Sequence, residues 1–171
     1  VSEDTFTFWY LPFEIVEKEP IIEPNIFKNN EVVCNETIKV IEEMAKTNST
    51  IEEGHILCFL SGIRKCYILR NNIISSLKQS EESENQRRII IFETLLKPNE
   101  TTESYFRRLR EEYLLNESLR GGNDYKYDFL YFAPIVLSGR GDDAIFELAG
   151  NDFPSDLSKI HKLIFSTQMI E

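Results

Sequence analysis

The hydrophobic positions of the chain change period several times, and each change marks an element. Ile56-Leu57-Cys58-Phe59-Leu60, entered from Gly54-His55 and left through Ser61-Gly62, is an unbroken apolar run. Such a run predicts a short strand buried on both faces, the kind that parallel sheets contain. Ile63, Cys66/Tyr67, Leu69/Arg70, Ile73/Ile74 and Leu77 then recur at three- and four-residue intervals, which predicts a helix with one apolar stripe. Strand, tight turn and helix form the front half of a βαβ unit.

The same reading extends along the chain. Ile38, Ile41, Met44 and Ala45 predict an earlier helix from Asn35, with Asn35 or Thr37 as its cap. Residues 78–86 hold no apolar side chain and read as a loop, and residues 87–92 as a strand. Tyr105/Phe106, Leu109, Tyr113 and Leu114 stripe a further helix, stopped by Gly121-Gly122-Asn123-Asp124. Residues 127–137 predict a second buried strand, leaving through Ser138-Gly139. A last strand, Lys162–Phe165, exits into Ser166-Thr167-Gln168. Residues 1–30 carry Phe6, Phe8, Trp9, Tyr10, Leu11 and Phe13 between prolines and read as irregular or edge strands. Strands alternating with helices at this spacing predict an α/β domain with a mostly parallel sheet flanked by helices.

The chain of 171 residues has the length of one domain, and 42% hydrophobic residues with 28% charged suit a folded one. Its formal net charge of −10 repels polyanions, which argues against tight RNA binding by this piece alone. A few backbone and hydroxyl contacts made beside a more basic domain remain compatible with it. Cys34, Cys58 and Cys66 are odd in number and none are spaced as C-x-x-C, so they read as reduced, buried thiols. His55 and His161 lack ligand-spaced partners, so neither a metal nor a catalytic role is assigned to them. No apolar run approaches the ~20 residues of a membrane span, and the expected location is intracellular.

Two segments carry a family resemblance. Gly54 to Cys66 resembles motif IV of the DEAH/DExH helicases of superfamily 2, and His161 to Glu171 resembles the start of their motif V. The resemblance implies the second RecA-like domain of an ATP-dependent RNA helicase: a three-layer fold with the domain proper at residues 35–171, an entry segment at 1–34 and an extra helical insert at about 81–124. In α/β sheets ligands sit beyond the carboxyl ends of strands, and three strands here exit into hydroxyl residues. By resemblance Ser61, Gly62, Ser138, Gly139, Thr167 and Gln168 touch the RNA backbone, and Glu171 faces the nucleotide. Gln168 and Ile170 depart from the family's Asn and Ala. The sequence has no G-x-x-x-x-G-K-[ST] loop and no D-E-x-H stretch, so ATP and Mg²⁺ belong to the parent protein and no catalytic residue is assigned here. The implied partners are RNA, a first RecA-like domain and further C-terminal helicase domains. A helicase-derived interaction module without ATPase activity, holding a protein partner through the insert, is the second reading.

Overall fold

The computed structural model describes residues 26–46, 54–60, 62–78, 87–120, 129–137 and 143–167. In chain order the elements are α1 (Ile26–Ala45), β1 (Ile56–Leu60), α2 (Ile63–Lys78), β2 (Ile89–Ile91), α3 (Thr102–Arg120), β3 (Leu130–Leu137), α4 (Asp143–Gly150), a 3₁₀ turn (Ser155–Leu157) and β4 (Ile160–Thr167). The four strands lie in the order β1-β4-β3-β2, and every neighbouring pair is parallel. The α/β class and the parallel sheet read from the sequence are therefore present.

Strand parity divides the core into two. Cys58, Leu60, Leu130, Phe132, Leu163 and Phe165 pack with α1 and α2 on one face. Tyr131, Ala133, Ile135, Leu137, Ile160 and Ile164 pack with α3 and α4 on the other. The period of two along β3 and β4 sends successive apolar residues to opposite faces, so both strands need continuous hydrophobicity. The path explains why the helices are shared out. From β1 the chain crosses the whole sheet to β2 by way of α2, then steps back through β3 to β4 by way of α3 and α4. Direction and face reverse together, as a constant crossover hand requires.

The ends of elements are fixed by side chains. Arg87 donates through Nη2 to Met44 O at 2.7 Å and through its own backbone N–H to Ala45 O at 2.7 Å, pinning the carboxyl end of α1 to the start of β2. The Glu112 carboxylate of α3 accepts from Glu93 N (2.9 Å), Thr94 N (3.0 Å) and Thr94 Oγ1 (2.6 Å), meeting the donors that β2 leaves behind when it ends. Pro134 lies inside β3, where a proline should cost a ladder hydrogen bond. Leu130 N–H and Phe132 C=O point toward β2, and residue 134 shares their parity. The last β2 pairing is Ile91 with Phe132, so the missing N–H faces a side that β2 has already vacated.

Several expectations are corrected. The first helix begins at Ile26, so residues 26–34 are helical and neither Asn35 nor Thr37 is a cap. Thr37 Oγ1 instead donates to Val33 O at 2.7 Å, one turn back, and lies 3.5 Å from Cys58 Sγ. β1 is not a central strand buried on both faces: among the described residues it is an edge strand, and Leu57, on the face opposite α2, is 51% exposed. β4 runs from Ile160 to Thr167, longer than its apolar centre suggests. The fourth helix is described over Asp143–Gly150, and residues 140–142 lie outside the described residues. Within the interval read as an insert, α3 lies between β2 and β3 in the chain. Residues 1–25 and the stop at Gly121–Asp124 lie outside the described residues.

Candidate functional site

The register of the sheet defines one rim. Leu60 of β1 pairs with Thr167 of β4, and Leu137 of β3 pairs with Ser166 of β4, so three strands end side by side. With neighbouring strands about 4.8 Å apart, these ends span about 10 Å. Ser61 follows the first of them and Ser138-Gly139 the last, but Ser61, Ser138, Gly139, Gln168 and Glu171 themselves lie outside the described residues. Gly62 and the backbone of Thr167 are described. What the structure brings together is the set of strand ends from which the predicted residues emerge.

The rim also contains a topological switch. β1 hands the chain to α2 on one face, β3 hands it to α4 on the other, and β4 ends between them. Connections that diverge to opposite faces leave a crevice at the carboxyl end of the sheet, the common ligand position in open α/β folds. Here that position is the carboxyl end of β4, at Thr167.

Gly62 opens α2, with Cys66 N–H donating to its carbonyl at 3.3 Å. A Cβ on Gly62 would meet no atom within 4 Å, so packing does not demand glycine there. The first-turn N–H groups of α2 are unpaired within the helix and carry the positive end of its dipole at the rim. That turn contains Arg64 and Lys65 and no acidic residue. Sequence reasoning passed over these two cations, because it followed the apolar stripe of the helix and the residues at the strand exits. Their signal was present: a helix start ordinarily prefers Asp or Glu.

The loop after β2 is held by side chains. Arg108 of α3 donates through Nε to Glu100 Oε2 at 2.8 Å, through Nη2 to Glu100 Oε1, and through Nη2 to Leu95 O at 2.6 Å. Ser104 Oγ and Lys97 N–H add hydrogen bonds to the same carboxylate at 2.8 and 3.0 Å. The bonded Arg108 guanidinium is the main reason that the Glu100 carboxyl is held down to about 2.

The two histidines sit at the opposite, amino end of the strands. His55 Nδ1 accepts the Lys162 backbone N–H at 2.9 Å and forms a side-chain rung just before the β1–β4 ladder. The His55 and His161 ring centroids are 6.4 Å apart. Desolvation lowers the pKa of His55, and the Lys162 and His161 charges lower it further. No group of three potential metal ligands occurs among the described residues. The three cysteines are buried and form no disulfide with one another, and burial pushes the Cys58 and Cys66 thiols up to about 11. Cys58 and Cys66 are therefore neutral packing groups at physiological pH.

No protein family, curated protein or solved structure matches this chain. Among the described residues no helix is long and apolar enough to cross a membrane.

Proposed function

We propose that the chain is part of the second RecA-like domain of a DEAH/DExH-type RNA helicase, with its sheet rim turned toward the RNA backbone. The reading rests on the two motif resemblances, and one structural observation supports it above the others: the strands leading to Ser61, Ser138 and Thr167 end in register on one parallel rim. Small residues and hydroxyls at such ends let a phosphate approach and donate hydrogen bonds to it. In this proposal a first RecA-like domain supplies the phosphate loop and magnesium ligands. This domain closes on it with Glu171 facing the nucleotide and Gln168 at the RNA backbone. The part of this chain is positioning, since phosphoryl transfer is catalysed chiefly by placement and charge stabilisation. The interval of about 81–124, longer than in most members of the family, is then the family-distinct part of the chain.

The test is Thr167→Ala in the parent helicase. RNA-stimulated ATP turnover should fall about tenfold, the worth of one charge-assisted hydrogen bond. Unchanged turnover rejects the assignment of motif V.

A second reading is an interaction module without ATPase activity, supported by α3. Leu114, Leu115 and Leu119 stand on its outer side at 57%, 60% and 73% exposure, more apolar surface than a solvent-facing helix ordinarily carries. A parent protein that hydrolyses no ATP, yet loses a protein partner on Leu115→Glu, supports this reading over the first.

A further inference from the structure

Asp and Glu outnumber Lys and Arg 29 to 19 in the whole chain, yet α2 carries Arg64, Lys65, Arg70 and Lys78 and no acidic residue. Two of these cations stand in its first turn, at the positive end of the helix dipole, where they oppose helix stability. A local rule broken in this way points to function. The outer face of the same helix has a definite composition. Arg64, Tyr67, Ile68, Asn71 and Ser75 recur at helical spacing and form one line directed away from the buried Cys66, Leu69 and Ile73. Tyr67 and Ile68 are 43% and 39% exposed. Beside the line, the Arg70 Nε is buried without a hydrogen-bond partner, while its Nη1 donates to Asn71 Oδ1 at 3.0 Å. The line starts next to Gly62, at the rim where β1, β4 and β3 end.

A cation, an exposed aromatic ring, an amide and a hydroxyl in sequence are the groups that hold a single nucleic-acid strand. The cation meets phosphate, and the ring stacks a base whatever its identity. We propose that the outer face of α2 is the track along which single-stranded RNA leaves the rim. Arg64 contacts the phosphate nearest the crevice, Tyr67 stacks one base, and Asn71 and Ser75 bond the backbone farther out. From residue 64 to residue 75 the helix provides about 16 Å of track. This inference rests on the rim being an RNA face and names the direction in which the strand runs from it.

The experiment is an NMR titration of the full chain with a short oligouridylate at low ionic strength. Amides of 64–75 should shift together with Gly62 and Thr167. Tyr67→Ala should weaken the α2 response roughly tenfold and Tyr67→Phe should preserve it, since stacking needs the ring and not its hydroxyl. Arg64→Glu should abolish the response while raising the melting temperature, because an acid suits the first turn; this also separates lost binding from lost folding. Shifts at the rim with α2 silent overturn the track and leave the proposed function standing. Shifts on α2 with the rim silent overturn the rim as the RNA face and leave α2 as a separate site. Silence at both overturns both. A poly-glutamate peptide that shifts α2 at the same concentration overturns the choice of RNA.

Discussion

A lysine in the middle of a parallel strand must find acceptors for its ammonium, and Lys162 finds two at the end of α4. Only 3% exposed, it donates through Nζ to Ala149 O at 3.2 Å and to Asn151 O, with the Phe153 ring centroid 5.1 Å away. The last carbonyls of a helix lack partners within it and carry the negative end of its dipole, so a buried cation there satisfies both. Desolvation lowers its pKa. Lys162→Met removes the donor while keeping much of the stem, and should destabilise the fold by about 1–3 kcal/mol in urea unfolding. A change under about 0.5 kcal/mol would show that water replaces the ammonium without loss. Glu100 makes a comparable test by acid. Its carboxyl lies at about 2 in the folded chain against 4.5 ordinarily, so the unfolded chain binds the proton first as pH falls. The stability it contributes is complete above pH 4.5 and disappears as pH falls from there through about 2. Glu100→Gln should flatten that part of the stability profile, and a parallel wild-type and variant profile would show the Arg108 contact to be energetically idle.

At the scale of elements, what was legible depended on how far each signal was local. The stripes of α2 and α3 were visible because buried positions such as Cys66, Leu69 and Ile73, or Tyr105 and Leu109, recur at helical spacing whatever lies opposite. The start of α1 was hidden by chemistry that resembles a cap: Asn35 and Thr37 are good cap residues, but Thr37 turns its hydroxyl back to Val33 and remains inside the helix. The order β1-β4-β3-β2 was not legible, since pairing between distant segments leaves no period in either. Hence the apolar run of β1 reads as buried on both faces although it lies at an edge among the described residues. The strand exits that mark the rim were legible from hydroxyl and glycine residues after apolar runs. Arg64 and Lys65 became meaningful once the start of α2 had been placed at the rim. The edge position carries its own expectation. β1 pairs with β4 on one side among the described residues, whereas β4 is paired on both, so amides of 56–60 should exchange with solvent markedly faster than those of 160–166. Equal protection would mean that another segment or partner covers the open edge.

For the molecule as a whole, charge sets a limit that no single contact removes. A net charge of −10 raises the work of bringing up a polyanion, and the affinity of a nucleic-acid binder comes largely from counterions released by its own cations. The proposed face offers one cation near the crevice, and the remaining contacts are hydroxyls, amides and one ring. Such a set holds RNA only when a basic neighbouring domain shares the strand, which is the arrangement a two-domain helicase uses. This chain alone should therefore bind single-stranded RNA no more tightly than the roughly 10⁻⁴ M of weak non-specific complexes at physiological salt. The slope of log affinity against log salt should correspond to only about one or two neutralised phosphates. Fluorescence anisotropy with a labelled oligouridylate over a salt series measures both quantities. Submicromolar binding with a steep slope would mean that many cations act together on the strand, and neither the rim nor α2 provides them.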